Sequence, residues 1–281
     1  MTRFFRTLSA LPLWLMQGLG WAMGWCVFLF SRVYRQRFIA NARQAGYGWH
    51  QWWRAVGPAG QLVTELPRLW FGSPVPCEWD GAHHVEDALA GGRGIVFLTP
   101  HLGCFEVTAQ AYAKRFGSRQ AMTVLFRPAR QPWLRRLIGS ARARPGLKTA
   151  PTNLGGVRQM IKALRLGQSI GLLPDQVPPE GLGVWAPFWG KQAYTMTLSA
   201  RLAQTTDATI FLAWGERLSW GRGYKVHVQP LVPKLPTDAR EAAGLLNQQL
   251  EELIRQRPQQ YLWGYARYKQ PAQLLDGALD A

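Results

Sequence analysis

The feature that most constrains this chain is a stretch of 25 residues near its start that contains no charged side chain. It runs from Thr7 to Ser31, and as an α-helix it would extend roughly 37 Å, which exceeds the ~30 Å hydrocarbon core of a bilayer. A signal peptide would have a shorter apolar core and a small-residue cleavage site, and neither is clear here. The stretch therefore predicts a transmembrane helix or a deeply embedded membrane anchor. Pro12, Gln17 and several glycines leave an interfacial or core-docked helix as the alternative.

Arginines flank the uncharged stretch on both sides. Arg3 and Arg6 precede it, and Arg32, Arg35 and Arg37 follow it. Because the positive charge is slightly denser after the stretch, the rest of the chain is expected on the cytoplasmic side of a membrane. The three cysteines lie far apart and form no Cys-x-x-Cys pair, which agrees with a reducing compartment.

Basic residues give the chain a formal net charge of +17. Residues 1–64 hold seven arginines and no acid, and residues 107–174 hold thirteen lysines and arginines and again no acid. A surface that only needs to be soluble would mix both signs, so the second block predicts an anionic partner close to it. Charge alone leaves a nucleic acid, an anionic membrane and an acidic protein open as that partner.

Short apolar runs alternate with helical patterns in the rest of the chain, which indicates an α/β fold. Strands are predicted at residues 94–99, 121–126, 169–173, 209–214 and 224–229. Helices are predicted at residues 36–72, 102–116, 131–140, 155–166, 195–205 and 236–257, the last with Asp238 as its cap. We assign residues 1–35 to a membrane anchor, residues 36–270 to one α/β domain and residues 271–281 to a tail.

The segment TPHLGCFE, residues 99–106, places a histidine between a predicted strand and a predicted helix. A carboxylate follows five residues later, about one and a half helical turns on. Glu106 is therefore expected to bond one ring nitrogen of His101, which leaves the other nitrogen free to take a proton from a hydroxyl. The pair is the histidine–carboxylate half of a catalytic triad, with a substrate alcohol in place of the enzyme serine. A capping or core histidine fits the same spacing, so the motif needs support from other segments.

That support comes from a resemblance to a known family. The segment from His101 to Glu106 resembles the His-x4-Asp/Glu motif of the lysophospholipid and glycerolipid acyltransferase superfamily. Its glutamate form, with several later segments in the same order, is similar to the late acyltransferases of lipid A biosynthesis, of the lauroyl and myristoyl type. Those segments are Leu125-Phe126-Arg127-Pro128, Ala141-Arg142-Ala143-Arg144, Pro174-Asp175-Gln176, Pro187-Phe188-Trp189-Gly190 and Pro258 to Lys269. The resemblance covers essentially the whole chain, including the anchor, although Ala141 stands where the family often has glycine.

The resemblance implies a mixed central sheet flanked by helices, as in glycerolipid acyltransferases. It also implies that His101, oriented by Glu106, deprotonates a hydroxyl of a lipid A precursor, which then attacks the thioester of an acyl carrier protein. The implied substrate-binding residues are Arg142, Arg127, Arg144 and Asp175. Arg142 would bind phosphate or the tetrahedral oxyanion, and Asp175 would position an arginine or the substrate. No metal or other cofactor is implied.

The implied partners are an acyl carrier protein, an anionic phosphorylated glycolipid and a membrane, with no nucleic acid. The implied location is the bacterial inner membrane, with the catalytic domain facing the cytoplasm. One alternative is an acyltransferase for another glycolipid or a lysophospholipid, and the donor could be coenzyme A. A second alternative is a membrane-tethered basic protein that binds nucleic acid, although no motif for this is visible. Cys104 lies beside the motif, but no second base is apparent for it, so it is expected to fill space rather than to react.

Overall fold

The computed structural model describes residues 2–126, 131, 133, 137–139 and 144–273 of the chain. Its strands are β1 (Cys77–Asp80), β2 (Ile95–Leu98), β3 (Met122–Phe126), β4 (Leu147–Pro151), β5 (Ser169–Leu172), β6 (Gly183–Phe188), β7 (Lys191–Met196), β8 (Thr209–Arg217) and β9 (Tyr224–Pro230). Seven of them form one sheet in the order β1-β9-β8-β2-β5-β3-β4. Five neighbouring strands, from β8 to β4, are parallel, whereas β9 and β1 run the opposite way. The sheet is therefore mixed, as the resemblance implied.

Helices cover both faces of this sheet. They are α1 (Thr2–Ser9), α2 (Leu13–Phe30), α3 (Arg32–Gln44), α4 (Trp49–Trp52), α5 (Val56–Thr64), α6 (Leu66–Phe71), α7 (Ala82–Ala90), α8 (Phe105–Phe116), α9 (Leu154–Arg165), α10 (Leu198–Thr206) and α11 (Ala239–Gln256). On one face, α3, α9, α10 and α11 contribute to a buried apolar core, and on the other face α7 and α8 contribute to a second core. Successive side chains of β2 point to opposite faces of the sheet, so Val96 belongs to the first core and Phe97 to the second. The predicted α/β class with flanking helices is confirmed.

Most predicted elements occur close to their expected bounds, because they show the clearest periodicity. β2 and β5 are buried at every position, which is why each reads as an unbroken apolar run. The carboxylate of Asp238 accepts hydrogen bonds from the first backbone N–H groups of α11, as its predicted role as cap requires. Three helices begin later than predicted: α8 begins at Phe105, α11 begins at Ala239, and α10 begins at Leu198 because residues up to Met196 belong to β7. The predicted helix at residues 131–140 falls mainly outside the described residues.

The second, two-stranded sheet is the hairpin of β6 and β7. Its two-residue turn consists of Trp189 and Gly190, both with positive φ, of 50° and 72°. This is the backbone of a type I′ turn, whose twist matches that of the flanking strands. The buried guanidinium of Arg267 donates to the carbonyl of Tyr194 and to the hydroxyl of Thr195, and so fixes the hairpin to the end of the chain.

Most of the uncharged stretch forms α2, whereas residues 7–9 belong to α1 and the chain turns at residues 10–12. Among the described residues α2 is the helix that is long and apolar enough to cross a membrane, and about one third of it is buried against the rest of the chain. It is therefore a candidate membrane anchor. The helix that follows, α3, begins at Arg32 and continues to Gln44, so it runs through the boundary predicted at residue 35.

Candidate active site

Two neighbouring parallel strands deliver the central residues of the site. In the register of β2 with β5, Leu98 pairs with Leu172, and His101 and Asp175 each lie three residues beyond that pair. Both side chains therefore leave the carboxyl edge of the sheet side by side, which is where open α/β sheets place their ligands. The sheet thus brings together two residues that are 74 positions apart in the chain.

Asp175 holds His101 through both of its carboxylate oxygens. Oδ1 of Asp175 lies 2.9 Å from Nδ1 of His101, and Oδ2 accepts a hydrogen bond of 2.8 Å from the backbone N–H of His101. Both side chains are buried. A carboxylate at Nδ1 favours the tautomer that carries its hydrogen there, so Nε2 keeps its lone pair and can accept a proton.

The charge of Asp175 is stabilised where it lies. Burial alone would raise the pKa of this carboxyl, but the charge of His101, the two hydrogen bonds from His101 and the charge of Arg267 outweigh it, so the pKa lies below its ordinary value of 3.8. Asp175 is consequently ionised at neutral pH. An ionised partner at Nδ1 stabilises the imidazolium that forms when Nε2 takes a proton.

Gln176 is the neighbour of the other ring nitrogen. Its side-chain amide nitrogen lies 3.1 Å from Nε2 of His101, where it donates to the lone pair when Nδ1 carries the ring hydrogen. This amide therefore occupies the position on Nε2 that a hydroxyl substrate needs. A substrate that uses this lone pair has to displace it.

The turn that carries His101 is fixed by the last part of the chain. The backbone N–H of Leu262 donates to the carbonyl of His101 at 3.1 Å, and the N–H of Gly103 donates to the carbonyl of Gln260 at 2.9 Å. Gly103 has φ +61°, and an added Cβ there would overlap the carbonyl oxygen of Gly215. Only glycine fits this position. Because a residue with positive φ cannot belong to a right-handed helix, the helix begins after Gly103 and not directly after His101.

Glu106 lies in the first turn of α8, but it is not the carboxylate at Nδ1 of His101. The structure places Asp175 at that nitrogen and Gln176 at the other, whereas Oε1 of Glu106 accepts a hydrogen bond of 2.9 Å from the indole of Trp70. The expected pairing assumed that His101 enters the helix, and the glycine turn prevents this. Glu106 is buried beside the site, with Trp70 rather than His101 as the partner of its Oε1.

Of the three arginines predicted to bind substrate, the structure describes Arg144. Its guanidinium donates to the carbonyls of Leu69 and Trp70 at 2.6 and 2.9 Å. Burial lowers the pKa of Arg144 and the charge of Glu106 acts in the opposite direction, so the two side chains interact electrostatically. Arg144 thus supports the same short helix, α6, that supplies the indole to Glu106. Arg127 and Arg142 lie outside the described residues.

An apolar cavity lies next to His101, between α8 and the sheet. The ring of Phe105, which is 4.9 Å from the imidazole centre to centre, borders the cavity together with Glu106 and Thr99. Its deeper walls are apolar and come from α8 and from the strands, and they include Ala109, Tyr112, Phe97, Met122, Val124 and Gly171. The volume is about 50 Å³, so the cavity is small. A wider cavity of about 400 Å³ is bordered by Lys114 and Arg144.

Cys104 is buried, and burial raises the pKa of its thiol well above its ordinary value, with the charge of Glu65 adding to the rise. A thiol of this kind stays protonated and is a poor nucleophile, as expected. Among the residues that the structure describes, no group of three or more His, Cys, Asp or Glu side chains could hold a metal ion.

The sequence predicts that Asp175 positions an arginine or the substrate, and it predicts no role for Gln176 or Trp70. A signal for the first two was present, because His101 and Asp175 follow predicted strands at the same offset. Trp70 left no such signal, since its contact with Glu106 spans 36 positions and depends on how α6 packs against α8.

Comparison with known proteins identifies the family of this chain. The family model of the bacterial lipid A biosynthesis acyltransferases matches residues 59–270, a range that includes His101, Glu106, Asp175 and Gln176. The lipid A biosynthesis lauroyltransferase of Escherichia coli K12 is 28% identical over 191 residues, which cover 67% of this chain and 60% of that protein. The palmitoleoyltransferase of the same organism is 24% identical over 215 residues, 75% of this chain and 68% of that protein. The myristoyltransferase is 23% identical over 189 residues, 66% of this chain and 57% of that protein.

The aligned stretches therefore span about three fifths of the length of these relatives. The family model, in contrast, extends over well more than half of this chain, from α5 to the segment that closes on His101. The chain belongs to the bacterial lipid A biosynthesis acyltransferase family.

Proposed function

We propose that this chain transfers a fatty acyl group from an acyl carrier protein thioester to a hydroxyl of an anionic lipid A precursor. The observation that carries the proposal is the arrangement around His101. An ionised, buried carboxylate holds Nδ1, Nε2 keeps its lone pair, and an apolar cavity lies beside the ring. This arrangement supplies a general base next to an apolar cavity, which has to enlarge to receive a hydrocarbon chain.

In the proposed reaction, Nε2 of His101 takes the proton of the acceptor hydroxyl while the oxygen attacks the thioester carbonyl. The new C–O bond gives a tetrahedral intermediate, which collapses as the C–S bond breaks. The imidazolium then returns its proton to the departing thiolate, so the products are an ester and a free thiol. Asp175 stabilises the imidazolium in the interval. Gln176 has to leave Nε2 before the hydroxyl can bind.

Glu106 has a positioning role in this proposal. It holds Trp70 by a hydrogen bond and interacts with Arg144, which in turn holds the end of α6. Together these contacts keep the guanidinium of Arg144 near Glu106, which lines the apolar cavity. Lys114 and Arg144 border the wider cavity, which suits the phosphate of the acceptor. Arg142 and Arg127 remain proposed contacts to phosphate or to the oxyanion.

Asp175→Asn tests the proposed role of the carboxylate. Asparagine is nearly the same shape but carries no charge to stabilise imidazolium, so we expect kcat to fall by about 10²- to 10⁴-fold. The assay uses the purified chain in detergent, an acylated carrier protein and a lipid A precursor, with products identified by mass spectrometry. A parallel reaction with acyl coenzyme A distinguishes the two donors.

The matched control is Asp207→Asn, an exposed aspartate in a left-handed conformation that asparagine also tolerates. It should retain the rate of the unaltered protein. If a folded Asp175→Asn variant also retained that rate, the histidine–aspartate pair would not be the base.

Ala109→Leu tests whether the apolar cavity receives the acyl chain. Ala109 lines this cavity on α8, and the three added carbons of leucine would fill the small space. We expect the variant to prefer acyl chains shorter by about two carbons or more, since each methylene excluded costs about 0.8 kcal/mol of burial. Competition between acyl donors of different lengths measures the preference.

The control for this prediction is Ala113→Leu, the same change one helical turn later, where the side chain borders the wider basic cavity. It should leave chain-length preference unaltered. An identical preference in Ala109→Leu and in the unaltered protein would place the acyl chain elsewhere.

A further inference from the structure

The apolar helix α2 is attached to the catalytic domain at both of its ends. Leu13, at its start, is buried in the same core as Val107 of α8. Phe28, near its end, is buried in the core on the other face of the sheet, where its ring meets Phe38 edge to face at 5.5 Å. About 22 Å of helix separates these two points. The helix therefore lies lengthwise along the domain.

The residues that flank α2 contact the same domain as well. Before the helix, the carbonyl of Ser9 accepts a hydrogen bond of 2.9 Å from the guanidinium of Arg68 on α6. After the helix, the amide of Asn41 on α3 donates to the carbonyl of Trp263 at 2.7 Å, next to the segment that closes on His101. A helix that crossed a bilayer would separate its two flanks by about 30 Å of hydrocarbon. Here the same domain contacts both flanks of α2.

The middle of α2 packs closely against α5. Gly20 and Gly24 of α2 face Gly57 and Gly60 of α5, and a Cβ added to Gly20, Gly24 or Gly60 would overlap the backbone of the facing helix. With nine residues, α5 is only about 13 Å long, too short to cross a membrane beside α2.

A buried polar group also ties the middle of α2 to the sheet. The amide of Gln17 donates to the carboxylate of Glu65 at 3.2 Å, and that carboxylate accepts a hydrogen bond of 2.7 Å from Arg217 at the end of β8. Glu65 and Arg217 are almost fully buried. An ion pair attached to a sheet strand cannot lie at the centre of a bilayer without the sheet.

The opposite side of α2 is apolar and exposed. Phe30 is 87% exposed, and Trp220, beside the start of α2, is 90% exposed. The other large apolar side chains exposed on α2 and on the neighbouring helices are Trp14, Leu19, Trp21, Val27, Leu29, Val33, Trp49, Trp53 and Val63. Residues 1–64, which include α2 to α5, hold seven arginines and no acid. Tryptophans combined with arginines are typical of a surface that enters the headgroup region of an anionic leaflet.

We propose that α2 lies in the plane of the membrane, embeds its exposed face in one leaflet and does not cross the bilayer. The residues that precede α2 then lie on the same side of the membrane as the catalytic domain. The inference concerns topology alone, so it stands or falls separately from the proposed acyl transfer. The domain that carries His101 would then lie against the leaflet that supplies a lipid acceptor.

Cysteine labelling in cells tests this topology. Single cysteines replace the exposed Ala10, ahead of α2, and the exposed Lys234, after β9, in a chain whose Cys26 and Cys77 are serine and whose Cys104 is buried. A membrane-impermeant maleimide is applied to spheroplasts and to inverted vesicles. We expect both cysteines to be labelled in the same preparation. Labelling of the two from opposite sides would show a spanning helix and overturn the proposal.

Partitioning onto vesicles tests the embedded face. The double variant Leu29→Ser/Phe30→Ser should bind vesicles of phosphatidylglycerol and phosphatidylethanolamine at least tenfold more weakly, because two exposed apolar side chains are lost from the contact. Leu166→Ser, at the end of α9 on another part of the domain and 63% exposed, is the control and should bind normally. Equal binding by the double variant and the control would mean that this face does not meet lipid.

Discussion

His101→Gln is expected to lower the rate of acyl transfer by about 10³-fold or more. Glutamine keeps a polar group of similar reach, but it cannot take a proton at neutral pH, so the acceptor hydroxyl loses its base. The buried carboxylate of Asp175 also loses the ring that it orients. Steady-state rates with a carrier-protein donor and a lipid A precursor measure the effect, and we expect kcat to fall much more than KM rises.

The same substitution at His83, which is exposed on α7, is the control and should leave the rate unaltered. Both variants should show the far-ultraviolet circular dichroism of the unaltered protein. A folded His101→Gln variant with a rate within tenfold of the unaltered protein would remove His101 from the role of base.

Arg217→Met is expected to cause the largest loss of stability. Arg217 pairs with Glu65 at 2.7 Å, and both side chains are almost fully buried. Burial disfavours the charged guanidinium, but the carboxylate outweighs this and raises the pKa of Arg217. Removing one partner leaves an uncompensated buried charge, which costs about 3–5 kcal/mol. For a chain of this size, that corresponds to a Tm lower by about 10 °C, measured by thermal unfolding in detergent.

Two further variants isolate the cause. Glu65→Leu/Arg217→Met removes both charges, and we expect it to recover most of the lost Tm, because an apolar pair can replace a buried ion pair. Arg93→Met removes one partner of an exposed pair with Asp207 and should shift Tm by about 1 °C or less. A Tm for Arg217→Met as high as that for Arg93→Met would mean that the buried pair is not needed.

Local sequence patterns were sufficient for the central strands and for several helices. β2 and β5 are short apolar runs, and α11 begins at its predicted cap, because each of these signals depends on a few adjacent residues. β4 was not predicted, since only two of its five side chains are buried and no run of apolar residues marks it. The hairpin of β6 and β7 was not predicted either, because its turn requires a left-handed tryptophan at position 189, which is unusual.

Three of the proposed site residues lie together in the structure, but their pairing differs from the one expected from the sequence. The family resemblance identified His101, Glu106 and Asp175, and the structure brings all three to the region between β2, β5 and α8. Sequence spacing assigned the imidazole to Glu106 because it treats neighbours along a helix as neighbours in space. The close approach of Gly103 to Gly215 and the parallel pairing of β2 with β5 are tertiary contacts between distant parts of the chain. They place the carboxylate of Asp175, and not that of Glu106, at the imidazole of His101.

The measurement that tests the central claim most directly is the mass of lipid A from cells that lack this chain and regain it. Cells are complemented with the unaltered protein or with His101→Gln, and the molecular mass of the extracted lipid A is measured by mass spectrometry. The proposed function predicts that the unaltered protein increases the mass by one ester-linked acyl group and that His101→Gln does not. No increase with the unaltered protein, or the same increase with both, would contradict it.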